Sequence, residues 1–224
     1  MMQAHLLIAL MRLLAYCPLP LLRALGWVLG RALFALAAPR RRVVQRNLAA
    51  CFADKTEAER LTIAKQVFVY FAQSWLDRSW LWHGSEKVLQ QRLRWVGDTT
   101  PLQQDRPTVI FAPHFMGLDA GGVALMRERW HPLSSIYSRQ QNPVLDAWVR
   151  AGRNRFGNAI LADRTTSIRS VINAMRREHA HFYLLPDMDL GAEDALFLPF
   201  FGINTATVPS LSRFARMGGA QVLS

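Results

Sequence analysis

The chain has 224 residues, enough for one domain or one domain with a helical appendage. With 51% apolar residues it can bury a sizeable core, which excludes a disordered segment. Lys and Arg number 27 against 16 Asp and Glu, and the net charge of +11 points to an anionic partner: nucleic acid, an acidic protein or a membrane surface. The two cysteines, Cys17 and Cys51, exclude a disulfide scaffold, and since neither sits in a CxxC pair they give no support to a structural zinc site.

The first 53 residues hold seven arginines (Arg12, Arg23, Arg31, Arg40, Arg41, Arg42 and Arg46) and no acidic residue. Very apolar stretches separate them: Leu6 to Met11, Leu19 to Leu22 and Trp27 to Ala38. On a helix Arg12 and Arg23 would lie about 20° apart, with Arg31 about 80° further round, although Pro18 and Pro20 break the helix between the first two. An apolar helix with a narrow arginine stripe, followed by Arg40-Arg41-Arg42, reads as a segment lying in a membrane interface. Arginines snorkelling from a short or tilted span are an alternative, since no uncharged apolar run reaches the roughly 18 residues of an unambiguous span. Their position after the apolar stretch would keep the following domain cytoplasmic. A buried helical hairpin and a cleaved signal peptide ending near Ala35-Leu36-Ala37 compete with this reading. The arginines argue against both.

Thr56-Glu57-Ala58-Glu59 is a capping box that predicts a helix running to about Trp82. Val67, Phe68, Phe71, Trp75, Leu76, Trp80 and Trp82 make it strongly aromatic, which predicts a core-facing side. Leu93 to Val96 predicts a short strand. From about residue 106 short apolar runs alternate with helical patterns. Strands are expected at Thr108 to Ala112, Ser134 to Tyr137, Ala159 to Leu161, His181 to Leu185, Phe197 to Phe201 and Gln221 to Leu223. Helices are expected at Gly117 to Arg129, Pro143 to Arg155, Ile168 to Glu178 and Pro209 to Met217. The alternation predicts an α/β sheet with crossover helices.

The chain has no GxSxG elbow, no phosphate-binding Walker loop and no GxGxxG, which removes the commonest hydrolase, nucleotidase and dinucleotide readings. Among six histidines, His114 stands apart because it follows a strand end, where ligands gather in open α/β sheets. Asp119 follows five residues on, and a strand-to-helix turn relaxed at Gly117 would let the two side chains meet. A carboxylate beside a histidine fixes its tautomer and lets the other ring nitrogen take a proton from an alcohol. The competing reading is a histidine satisfied in an apolar neighbourhood. His179-Ala180-His181 has the period-two spacing of metal ligands, but no third ligand accompanies it, and a structural role is expected.

Several blocks then become recognisable. Ala112-Pro113-His114-Phe115-Met116-Gly117-Leu118-Asp119 resembles the His-x4-Asp block of the lysophospholipid acyltransferase superfamily. Asn47-Leu48 with Cys51-Phe52, Tyr137-Ser138-Arg139 with Asn142-Pro143 and Leu145-Asp146, and Arg153-x-Arg155-Phe156-Gly157 are similar to blocks of its lipid A biosynthesis acyltransferase branch. So are Pro186-Asp187-Met188-Asp189-Leu190-Gly191 and Leu198-Pro199-Phe200-Phe201-Gly202 with Thr205-Ala206-Thr207. Met188 stands where the branch usually has Gln, and Ser138-Arg139 shifts its Tyr-Arg pair by one. Chains of the branch usually continue past a point equivalent to Ser224, so the expectation is a domain shortened at its C-terminus.

The resemblance implies a glycerolipid-acyltransferase-like sheet with flanking helices over residues 47–224, preceded by the membrane-associated helical segment 1–46. It implies that His114 is a general base oriented by Asp119. The base would remove the proton from a hydroxyl of a lipid A precursor, which then attacks the thioester of an acyl–acyl carrier protein without a metal or other cofactor. Arg139, Arg153 and Arg155 are candidates for holding phosphate or carboxylate groups of the acceptor, because guanidinium forks match such groups. Asp187 and Asp189 are candidates for shaping the sugar site, against a plain capping role. An acidic carrier protein and membrane lipids on the cytoplasmic face of a bacterial inner membrane would be the further partners. A glycerolipid acyltransferase and a non-catalytic membrane-binding remnant remain as alternatives. A nucleic-acid binder is disfavoured, because no recognised nucleic-acid motif accompanies the charge.

Overall fold

Ten helices and seven strands are laid out along a computed structural model that describes residues 2–163, 168–187, 191, 193 and 195–224. The N-terminal half is helical: α1 (Met2–Leu14), α2 (Leu19–Leu36), α3 (Ala38–Cys51), α4 (Glu57–His83), α5 (Glu86–Arg92) and α6 (Thr100–Gln103). The rest alternates as β1 (Thr108–Phe111), α7 (Leu118–Glu128), β2 (Leu133–Tyr137), α8 (Pro143–Arg153), β3 (Ala159–Asp163), α9 (Ile168–Glu178) and β4 (His181–Leu184). It closes with β5 (Leu196–Phe200), β6 (Ile203–Thr207), α10 (Ser210–Gly218) and β7 (Gln221–Leu223).

Five strands form one parallel sheet in the order β3-β2-β4-β1-β7, and β5 and β6 form a separate antiparallel hairpin. The sheet is covered on both faces, as parallel sheets require. Side chains alternate along each strand. Val109 and Phe182 therefore pack with Val171, Met175 and Phe214 of α9 and α10, while Ile110 and Tyr183 pack against the cluster built by α4, α7 and α8. The expected α/β sheet with crossover helices is present.

The Thr56 capping box forms: the Thr56 hydroxyl accepts from the Glu59 amide and Glu59 Oε2 accepts from the Thr56 amide at 2.8 Å. The helix it opens is the spine of the molecule. Its aromatic side enters the core through Phe68, Trp80 and Trp82. Leu93 to Val96 is not a strand, which corrects that expectation. Ser85 caps the short α5 just before it, and after Leu93 the segment is held by side chains rather than by a partner strand. Trp95 donates its indole N–H to Glu128 at 3.2 Å and its ring lies 5.7 Å from that of Trp130. The strand β6, not anticipated, pairs with β5.

The chain breaks between α1 and α2 ahead of Pro18 and Pro20. Both helices pack on α4 along one side, burying Ala4, Ile8, Met11, Leu22, Gly26 and Gly30. Gly26 and Gly30 lie directly against the α4 backbone at Gln73 and Val69, where a Cβ would collide. Arg23 belongs to this packed side, with its guanidinium gripping both oxygens of Asp77 at 2.9 and 3.1 Å. Elsewhere α2 leaves Leu21, Trp27, Val28, Leu29 and Leu36 exposed. Leu19–Leu36 is, by length and composition, apolar enough to cross a membrane, with a mean hydropathy of 1.5. The helix α3 continues to Cys51, so no secondary-structure boundary falls at residue 46.

Candidate active site

Strands β1 and β4 are neighbours in register, with Phe111 opposite Leu184. Pairing continues one residue further, where the Ala112 amide donates to the Leu184 carbonyl at 2.9 Å. Both strands then run through a proline, Pro113 and Pro186, to a side chain with chemistry. The His114 amide donates to Asp187 Oδ2 at 2.8 Å and His114 Nδ1 lies 2.8 Å from Asp187 Oδ1. The carboxylate thus holds both the backbone and the ring of His114, leaving Nε2 as the ring nitrogen open to another partner. Burial tends to raise the Asp187 pKa, but its hydrogen bonds and charge interaction with His114 outweigh this and leave it below the usual carboxylate value.

Asp119 sits elsewhere. Gly117, in the left-handed region at φ 89°, turns the chain into α7 and places Asp119 in the first turn of that helix. Its two oxygens accept from different arginines, Oδ2 from Arg78 Nε at 2.8 Å and Oδ1 from Arg153 Nε at 3.1 Å. Arg78 comes from α4, where its guanidinium carbon lies 5.1 and 5.4 Å from the ring centroids of Trp75 and Trp82. Two cations therefore flank one well-covered carboxylate, giving this corner a net positive charge. Below it the Tyr183 hydroxyl donates to the Leu118 carbonyl at 3.2 Å. Burial first, and then the Asp119 charge, push the Tyr183 pKa up to about 12.

The residues around Tyr137 form a third unit. Asp146 Oδ1 accepts from the Tyr137 hydroxyl at 2.6 Å and from the Gln140 amide at 2.7 Å, which pins the turn after β2. These bonds hold the Asp146 carboxyl below its usual range. Arg150 and Arg153 lie over the Tyr137 ring at 5.6 and 5.5 Å. Asn142 caps α8 by accepting from the amides of Val144 and Leu145.

The other candidates are dispersed. Arg155 donates to the Leu81 carbonyl at 2.7 Å and to the Gly84 carbonyl, satisfying the C-terminal end of α4. Arg139 is mostly exposed and pairs with Asp163 at 2.8 Å. Asp189 lies outside the described residues. His181 is buried beside His131, and burial, then the His131 charge, push its pKa down to about 4. His179 pairs instead with Asp105.

His114, Asp119, Arg78, Arg153 and Tyr137 all line one cavity of about 920 Å³ at the carboxyl ends of the strands. Much of its remaining wall is apolar, including Trp75, Leu81, Trp82, Val123, Met126 and Leu133. Phe71, Phe115 and Met116, half or more exposed, also line it. Sequence reasoning placed His114, Asp119 and Arg153 here and did not find Arg78, which lay hidden in a helix already read as aromatic core.

The family model described as bacterial lipid A biosynthesis acyltransferase matches residues 1–224. A lipid A biosynthesis acyltransferase of Haemophilus influenzae is 31% identical over 94% of this chain and 66% of its own length. The lipid A biosynthesis myristoyltransferase of Escherichia coli is 30% identical over 91% of this chain and 62% of its own. The lipid A biosynthesis lauroyltransferase of Escherichia coli is 25% identical over 95% and 69%. The chain thus spans about two thirds of the length of these relatives.

Proposed function

The chain belongs to the bacterial lipid A biosynthesis acyltransferase family, and on that premise we propose that it carries the acyl-transfer site for a lipid A precursor, with acyl–acyl carrier protein as donor. The observation that carries this reading is the pair His114–Asp187 at the rim of a large, mainly apolar cavity. His114 Nε2 takes the proton from an acceptor hydroxyl as its oxygen attacks the thioester carbon. The C–S bond then breaks and the proton passes to the departing thiolate, so that an ester and a thiol leave. Asp187 fixes the histidine tautomer and stabilises the imidazolium. The N-terminus of α7, following Gly117, offers backbone amides to the developing oxyanion.

In this reading Asp119 does not face the base. It holds Arg78 and Arg153 in place, and the excess positive charge there receives phosphate or carboxylate groups of the acceptor. Arg139 extends that basic surface, while the bonds of Arg155 to the Leu81 and Gly84 carbonyls support a role for it in holding α4. The apolar wall takes the acyl chain. The exposed apolar residues of α2 and the arginines of α3 hold the protein on membrane lipids at the cytoplasmic face of the inner membrane.

Mass spectrometry of lipid A from a strain lacking its late acyltransferases tests the proposal. Expression of the chain should add one acyl chain to the precursor. An unchanged precursor, from protein that is folded and membrane-bound, would contradict it. Acylation of a lysophospholipid instead would favour the glycerolipid alternative.

A further inference from the structure

The hairpin of β5 and β6 stands apart from the main sheet, and every residue of β5 is exposed. Leu196, Phe197, Leu198, Phe200, Phe201 and Ile203 are between 45% and 60% exposed, on both faces of the ribbon. A two-stranded ribbon is marginal in water, and an apolar patch of this kind marks a contact surface. Its tip does not hang free. Phe201 meets Phe52 edge-on with ring centroids 5.1 Å apart, and Lys55 lies 6.0 Å from the Phe52 ring. Phe52 caps α3, the helix that carries Arg40, Arg41, Arg42 and Arg46. At its other end, Val208 and Ser210, just past β6, line the cavity.

We propose that the β5–β6 hairpin is a second membrane-contacting element, whose aromatic tip lies at the headgroup–acyl boundary of an anionic bilayer beside α3. The proposal rests on the membrane reading given above. Two features favour a bilayer over a protein groove. Lipid surrounds an inserted ribbon on all sides, which matches apolar exposure on both faces, whereas a groove covers one. The adjoining segment also has seven arginines and no acidic residue in its first 53 positions, which is complementary to anionic lipid. Phenylalanines next to cations have the composition of an interfacial anchor. With its root at the cavity and its tip in the interface, the hairpin would set the height of the site above the bilayer that holds its acceptor.

The test attaches the fluorophore NBD to Phe200→Cys in a Cys17→Ser, Cys51→Ser background and adds vesicles of phosphatidylethanolamine and phosphatidylglycerol. Emission should rise severalfold and be quenched by spin-labelled lipid. In unlabelled protein, Phe197→Ser with Phe200→Ser, which leaves the Phe201–Phe52 contact in place, should weaken vesicle partitioning by roughly tenfold or more while leaving the melting temperature nearly unchanged. Unchanged emission on vesicles that the labelled protein does bind would overturn the hairpin's role and leave the N-terminal contact standing. Failure of the unsubstituted protein to bind the vesicles would overturn both.

Discussion

His114 and Asp187 each stand three residues beyond a matched pair, Phe111 and Leu184, at the ends of adjacent parallel strands. That symmetry brings an imidazole and a carboxylate to 2.8 Å while β1 and β4 stay paired in register. The carboxylate also accepts from the His114 amide at 2.8 Å, so ring and backbone are fixed together.

Asp187→Asn should therefore be severe. The amide keeps the shape but can neither stabilise the imidazolium nor enforce the tautomer, and a loss of roughly 10³-fold or more in kcat is expected. KM for the acceptor should change little. Steady-state kinetics on the purified variant check this, and a kcat within a few-fold of wild type would remove Asp187 from the role of orienting residue.

Asp119→Asn should behave differently. With the carboxylate gone, Arg78 and Arg153 repel each other across a well-covered corner. The acceptor KM should rise and the melting temperature fall, with a smaller effect on kcat. Arg78→Lys should recover only part of the loss of Arg78→Ala, because an ammonium cannot both stack between Trp75 and Trp82 and keep the guanidinium geometry. A pure kcat defect in Asp119→Asn would instead restore the carboxylate to the base.

The difference between these two aspartates shows where sequence reading stops. The strands of the five-stranded sheet, the crossover helices and the Thr56 cap were legible because each is written in local pattern and spacing. The segments ending Phe111-Ala112-Pro113-His114 and Leu184-Leu185-Pro186-Asp187 even share one arrangement. Their partnership was not legible, because it depends on β4 inserting between β2 and β1, which is a property of strand order. Arg78 was hidden for the opposite reason: aromatic neighbours that signal a buried core also form the cradle for its guanidinium. Leu93 to Val96 has strand-like composition, but the pairing that defines a strand is not local.

Arg155→Ala should act on stability rather than on binding. It removes the donor from the carbonyls of Leu81 and Gly84, and leaving such groups without a partner costs on the order of 1–3 kcal/mol each. The melting temperature should drop while acceptor KM, measured below it, stays near wild type. A large KM effect with an unchanged melting temperature would place Arg155 on the acceptor instead.

His181 should make the protein acid-sensitive. Its folded-state pKa of about 4 lies below the ordinary 6.5, because burial and then the charge of His131 disfavour the cation. Between those values the unfolded chain binds the extra proton, so stability rises with pH and is lost as pH falls from 6.5 toward 4. The full difference amounts to roughly 3 kcal/mol. Melting temperatures across this window should fall more gently in His181→Gln than in wild type. Parallel slopes would show that other groups govern acid sensitivity.

The most direct test of the account is transfer from acyl–acyl carrier protein to a lipid A precursor by His114→Ala, measured beside its melting temperature in a protein whose unsubstituted form is active. His114 is partly exposed, with 45% of its side chain accessible, and adds little packing. Transfer should be abolished while the melting temperature stays nearly unchanged. Transfer by the folded His114→Ala protein at a rate near wild type would contradict the assignment of His114 as the base.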